Sequence, residues 1–139
     1  MANTIHVDIV SAERELFSGE ATMVFAPAVQ GEVGIAPMHT PLLTPLNPGD
    51  VRVQTADGGE EIIYVSGGLL EVQPHVVTIL SDTALRAEDI DEQAVLRAKE
   101  DAERTLSDKS SVVDEARARA EILQAVAQLG ALRKLRGRR

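Results

Sequence analysis

The groups in this chain with the most chemistry to offer are three histidines, a Ser-Gly-Gly turn and a pair of adjacent glutamates, and their spacing gives them little joint use. His6, His39 and His75 are scattered, none forming a ligand pair at metal spacing, and there is no cysteine to supply a thiolate. No cofactor and no metal are expected. Ser66, His39 and Asp82 are the residue types of a nucleophilic triad, but no elbow motif surrounds Ser66. Glu60 and Glu61 are neighbours on an extended segment, so they point to opposite faces and cannot act on one substrate bond. Neither a Walker-type pattern nor GxGxxG occurs, and Gly67-Gly68 is too short to cradle a phosphate. These absences point to a protein that is not an enzyme.

What remains is surface chemistry, concentrated between Gly31 and Leu43 in the stretch GEVGIAPMHTPLL. Gly31 and Gly34 admit backbone angles closed to other residues, while Pro37, Pro41 and the nearby Pro45 fix φ and remove amide donors. The segment reads as a shaped surface loop through which no long regular strand or helix runs. Glu32, Met38 and His39 stand between those fixed points and offer a charge, a deformable apolar group and a titratable ring, a set suited to contact with another protein.

The elements that must hold this stretch fall into two kinds. From Ile5 to about Asp82, short β-branched runs alternate with turn signals at Gly19, Gly31, Pro48-Gly49, Asp57-Gly58-Gly59, Gly67 and Gln73-Pro74, the pattern of an all-β unit. Ile5, Val7 and Ile9 alternate with His6 and Asp8, which places His6 toward solvent. Asp57-Gly58-Gly59 between two such runs predicts a hairpin, and His75 after Pro74 reads as a turn residue. Near Leu85 glycine and proline give way to Ala, Glu, Arg and Leu. Asp89 with Glu92 resembles a capping box, and Ile90, Ala94, Ala98, Ala102 and Leu106 recur along one helical face. Ser107 to Ser111 interrupt the pattern; Ser111 with Asp114 offers a second cap, and Val112, Ala116, Ala120, Leu123 and Ala127 line a second helix running to about Leu135. The expected fold is an N-terminal antiparallel β-sandwich over residues 1–86, followed by a C-terminal antiparallel two-helix hairpin over residues 87–139. Alanine-lined helices approach closely yet bury little area, which favours a hairpin able to open.

Composition bounds the partners. The chain has 139 residues, 44% of them hydrophobic but only 2% aromatic, so its core must be aliphatic. The net charge of −8 opposes nucleic-acid binding. No signal peptide or membrane span is expected, because MANTIHVDIV lacks a basic region ahead of an apolar run and no stretch approaches eighteen apolar residues. Charge is uneven along the helices: after Glu121 no acidic residue remains, while Arg133, Lys134, Arg136, Arg138 and Arg139 crowd the end. Such a cluster suits the negative end of a helix dipole or an acidic partner.

The stretch GEVGIAPMHTPLL closely resembles the signature segment of the ε subunit of bacterial F-type ATP synthases. SGGLLEV at Ser66 to Val72, followed by Val76 to Leu80, resembles the family's second segment, and HVDIVSAERELFSGEA resembles its opening. The resemblance implies a non-catalytic central-stalk subunit that couples proton-driven c-ring rotation to the catalytic head, peripheral on the cytoplasmic face of the bacterial plasma membrane and reaching the membrane only through the c-ring. It implies a sandwich docked on the γ subunit and c-ring, with Gly31, Glu32, Gly34, Met38 and His39 at that interface. It further implies a hairpin that regulates hydrolysis in the α/β head, with Arg133, Lys134, Arg136, Arg138 and Arg139 meeting acidic residues of β. Some family members hold ATP at the hairpin through Ile or Leu, Asp, two variable residues, Arg and Ala. Ile90 and Asp91 match its start, but Ala94 stands where that motif has arginine, so a nucleotide-sensing hairpin is the alternative reading and poor phosphate affinity the expectation.

Overall fold

A fourteen-residue strand, β2 (Glu15–Ala28), ties the β unit together in the computed structural model, which describes residues 3–108 and 112–137. Its first half pairs antiparallel with β1 (Ile5–Ser11), and its second half pairs with β3 (Gly31–Ile35) and β5 (Gly49–Thr55). Beyond β5 lie β6 (Glu60–Val65) and β9 (Ala84–Arg86), antiparallel in turn. On the other side β4 (Leu42–Leu46), β7 (Gly68–Val72) and β8 (Val76–Ser81) return to β1. The sandwich is antiparallel as expected except where β1 meets β8, which run parallel from His6 opposite Val76 to Ser11 opposite Ser81.

Strict alternation builds the core. Ile5, Val7 and Ile9 are fully buried and pack with Val24, Val51, Val53, Ile63, Val65, Leu70, Val72, Val77 and Ile79 in one aliphatic cluster between the layers. Asp57-Gly58-Gly59 closes the β5–β6 hairpin, where Asp57 accepts from the Gly59 amide. That bond and one from Thr55 hold the Asp57 carboxyl below its usual range, Thr55 having the larger effect. At Gly68, φ is +129° and an added Cβ would lie 2.0 Å from the Leu80 carbonyl oxygen, so the β7–β8 pairing demands glycine there.

β6 is apolar on both faces. Ile63 and Val65 point into the sandwich, while Ile62 and Tyr64 point outward and are nevertheless buried. Their cover is the helical region: a 3-10 turn (Ala87–Asp89), α1 (Glu92–Asp108) and α2 (Val112–Arg136). The two helices pack together, and α2 lies across β5 and β6.

Two expectations about the helices are corrected. Asp91, not Asp89, caps α1 by accepting from the Ala94 amide at 3.1 Å, because the 3-10 turn occupies residues 87–89. In α2 the buried positions are Ala118, Ala125, Ala131 and Leu132, whereas Val112, Ala116, Ala120 and Leu123 of the expected stripe are exposed. The seam Ala118, Ile122, Ala125, Leu129, Leu132 steps by four and three, the spacing that keeps one side of a helix against a partner. In α1, Val95 and Ala102 are buried, Ala94 and Leu106 half-buried, and Ala98 exposed. The polar interruption at Lys109, Ser110 and Ser111, with the cap expected at Ser111, lies outside the described residues.

Candidate partner interface and helix-docking site

The Gly31–Leu43 stretch is less irregular than its composition suggests. Gly31, Glu32 and Gly34 belong to β3, Leu42 and Leu43 open β4, and only residues 36–41 form a connecting turn. Gly31 does take a positive φ, +130°, but Gly34 does not. A side chain at Gly34 would press on Met23 Cε at 3.0 Å and on the Phe25 ring at 3.3 Å, so the side chains of β2, not the backbone angle, are what favour a small residue there. The residue in the left-handed region within the turn is Met38, at φ 66°. Its amide donates to the Pro74 carbonyl at 2.9 Å, tying the turn to the β7–β8 connection. Its side chain is 65% exposed, an apolar group presented to solvent by a backbone conformation that L-residues rarely adopt.

The five residues expected at the interface do not form one cluster. Met38 and His39 sit at the turn beside Pro74, with His39 Nδ1 2.7 Å from the Thr40 carbonyl oxygen. Glu32 lies on β3, most of a strand away, where it binds Arg52 at 3.0 Å. Ser66 and His39 are likewise occupied separately: Ser66 Oγ accepts from the Thr83 amide at 3.1 Å and lies 3.3 Å from Ser81 Oγ. His6 faces solvent between Glu20, 2.8 Å from its Nδ1, and Asp8, 3.1 Å from its Nε2. The Glu20 hydrogen bond is the main cause of a pKa raised above the usual histidine value.

The second surface is the docking seam of α2. Ile62, Tyr64, Ala87, Ile90, Val95, Ala125, Ala131 and Leu132 form an apolar cluster distinct from the sandwich core, flanked by Leu85, Ala127, Leu129 and Leu135. Tyr64 is fully buried at its centre. Burial pushes its phenol pKa up, against a smaller opposing effect of a hydrogen bond with Gln128. Two ion pairs close the seam at the C-terminal end of α2. Lys134 Nζ reaches both Asp50 carboxylate oxygens at 2.9 Å, and Arg136 makes a two-pronged contact with Glu92. The Arg136 hydrogen bond holds the Glu92 carboxyl below its usual range.

Of the basic cluster expected to meet an acidic partner, Lys134 and Arg136 therefore already have acidic partners within the chain, and sequence reasoning missed both. Arg133 is exposed and in none of these pairs. Arg138 and Arg139 lie outside the described residues. Ile90 and Asp91 have structural duties, Ile90 in the docking cluster and Asp91 as the α1 cap. A groove of about 310 Å³ beside Leu69 and Leu80 opens on the β7–β8 face, and one of about 290 Å³ runs between α1 and α2. The charged residue lining the second groove is Glu121, the wrong sign for a polyphosphate.

The chain is thus a β-sandwich capped by two helices, its two notable surfaces being an exposed turn around Met38 and the seam on which α2 docks. The chain belongs to the ATP synthase delta/epsilon family: residues 4–87 match its beta-sandwich domain and residues 88–133 its long alpha-helix domain. It is 62% identical over 136 residues to the ATP synthase epsilon chain of Nitrosococcus oceani, covering 98% of this chain and 97% of the relative. Its fold is similar to a chain in the Euglena gracilis mitochondrial ATP synthase OSCP/F1/c-ring structure, with TM-score 0.85, 21% identity, and 95% and 83% of the two chains covered. A chain in the central stalk/c-ring structure from Tetrahymena thermophila gives TM-score 0.60 at 17% identity, covering 92% and 96%. No helix among the described residues is long and apolar enough to cross a membrane.

Proposed function

We propose that this chain is a non-catalytic stalk subunit of a bacterial F-type ATP synthase, peripheral on the cytoplasmic face of the membrane. Similarity to an epsilon chain along nearly its whole length carries this reading. Its sandwich, residues 1–86, docks on γ and the c-ring through the edge that includes Gly31, Glu32, Gly34, Met38 and His39. Its helices, residues 87–139, regulate hydrolysis in the α/β head by leaving the sandwich, when Arg133, Lys134, Arg136, Arg138 and Arg139 meet acid on β.

Two physical features support the division of labour. Met38 is held out into solvent by a turn that the β7–β8 connection braces, as a preformed interface residue should be. The α2 seam is smaller than the sandwich core: α2 itself buries three alanines and one leucine, and its release uncovers a cluster around Ile62 and Tyr64 while the core between the sheets stays closed, so release costs less than opening the sandwich. Lys134 and Arg136 exchange intramolecular carboxylates for those of β, which keeps the two positions of α2 close in free energy.

Reconstitution with Met38→Asp tests the docking edge. A charge at this site opposes burial against a partner, so co-purification with γ and the c-ring falls and proton-pumping coupling drops, while the isolated chain unfolds at the same temperature as wild type. Unchanged assembly and coupling would remove the turn from the interface.

A further inference from the structure

A line of charged side chains runs from Glu32, the residue expected at the partner edge, to Lys134 on α2. Asp50 and Arg52 alternate with Val51 on β5, so both side chains stand on the outer face of the sheet while Val51 and Val53 fill the core. Across that face the charges run in sequence. Glu32 Oε1 accepts from Arg52 Nη2 at 3.0 Å, Arg52 Nε lies 3.7 Å from Asp50 Oδ2, and Asp50 binds Lys134 at 2.9 Å. The Arg52 guanidinium also lies 4.5 Å from the Phe25 ring centroid, which fixes it in place between the two carboxylates. The inner members are sheltered, Asp50 at 11% and Arg52 at 23% exposure, whereas Glu32 at 47% and Lys134 at 44% reach solvent at either end. Shelter matters because interactions between the inner charges are screened less than those of exposed pairs.

We infer that Glu32, Arg52, Asp50 and Lys134 form a charge relay that couples what binds at the β3 edge to the docking of α2, so that a cationic group engaging Glu32 loosens the helix. The sign follows from the sharing. Arg52 hydrogen-bonds Glu32 and stands within ion-pair range of Asp50, its buried Nε making no hydrogen bond, while Asp50 is held by Lys134. When a partner's cation takes Glu32, Arg52 turns its hydrogen bonds toward Asp50 and competes with Lys134 for the same oxygens. The Coulomb effect has the same direction, since neutralising Glu32 leaves Lys134 in a more positive field. The α2 seam is thin enough for such a change to register as a shift in population. Its use in the assembly rests on the reading of Glu32 as a partner-facing residue, but the coupling itself is a property of the isolated chain and is tested there.

The experiment is amide hydrogen exchange on the full chain, followed in the last turns of α2 and in β1 and β8 as an internal reference. Four proteins complete a cycle: wild type, Glu32→Gln, Lys134→Met and the double variant. Both replaced side chains are nearly half exposed, so the sandwich reference keeps its protection. Lys134→Met speeds exchange in α2 by about three- to tenfold, and Glu32→Gln, which makes no contact with α2, speeds it by about two- to threefold. In the double variant the exchange equals that of Lys134→Met, because the relay has lost its last member. No change with Glu32→Gln, or a Glu32 effect that persists undiminished without Lys134, overturns the relay. A c-ring that binds through Met38 and His39 while Glu32→Gln is silent overturns the relay and spares the interface. A Glu32 effect that vanishes in the double variant supports the relay even where the c-ring fails to bind that edge.

Discussion

Leu132→Ala asks whether the docked position of α2 is carried by one side chain. Leu132 is 7% exposed and is the single large residue among the buried positions of α2, the others being Ala118, Ala125 and Ala131. A buried methylene is worth about 0.8 kcal/mol and a fully buried leucine about 1.5–3 kcal/mol, so Leu132 contributes about as much as the three alanines combined. Truncation also leaves a cavity in the cluster that includes Ile62 and Tyr64, but the site borders solvent and can relax, which puts the cost near the lower end of the usual range, about 2–3 kcal/mol. The docking equilibrium then falls roughly 30- to 150-fold.

The chain supplies its own reporter, since Tyr64, in the same apolar cluster as Leu132, is its one tyrosine and it has no tryptophan. In Leu132→Ala the phenol titrates closer to its ordinary value of about 10, and exchange of α2 amides accelerates by the same factor as docking weakens. Exchange in β1 and β8 stays as in wild type. In the reconstituted complex, freeing the helix lowers ATP hydrolysis. Less than a twofold change in α2 exchange would mean that the seam does not hold the helix. Equal acceleration throughout the sandwich would mean that residues 1–86 and 87–139 open as one unit, and the division of the chain would fail.

Docking of α2 should also have a pH window with two edges. Glu92 has a carboxyl pKa lowered chiefly by Arg136, so its contribution is full above the ordinary value and is lost as pH falls through the folded one; Tyr64 has a pKa raised by burial, so its contribution is full below about 10 and is lost as pH rises through the folded one. Tyrosine emission and α2 exchange measured across pH should show both edges, with Glu92→Gln removing the acid edge alone; an acid edge that survives in Glu92→Gln refutes its assignment. For the basic cluster, Arg133→Glu is the informative reversal, because Arg133 takes part in neither closing ion pair and its loss leaves docking intact. ATP hydrolysis by the reconstituted complex rises at low ionic strength and the gap narrows as salt is added. Unaltered hydrolysis, or lost helicity by circular dichroism, would withdraw the proposed contact with β.

The sandwich was legible because alternation is a local signal: Ile5, Val7 and Ile9 announce a half-buried strand whatever lies across from them. The helical docking site was only half legible. Ile62, Ile63, Tyr64 and Val65 run without a break, and four consecutive apolar residues on one strand need cover on both faces, which announces that something lies over β6. Which face of α2 does the covering could not be read, since alanines at 116, 118, 120, 125, 127 and 131 occur all round the helix and only the tertiary partner selects 118, 125 and 131. Glycine misleads in the opposite sense. Gly34 suggests backbone freedom, yet it sits in a regular strand with Met23 and Phe25 close beside it, while Met38 takes the left-handed turn that a glycine would take without strain.

The charges show most plainly what a linear reading leaves out. Five cations after the last acid look like a tail seeking a partner, and a tail of that composition is equally well served by acids from its own chain. Lys134 meets Asp50 across 84 positions and Arg136 meets Glu92 across 44, separations at which no local pattern operates. Those pairs change what the cluster can do. Were all its cations free in the docked form, an acidic partner would act on a helix with nothing to give up. With two of them tied down, an ion pair made to an outside partner would replace one broken within the chain, and on the proposed reading the net preference is set by small differences among partly exposed pairs, which salt and pH move and which the inferred coupling to Glu32 would also move. On the proposed regulatory reading, the basic end of α2 therefore suits switching rather than permanent attachment.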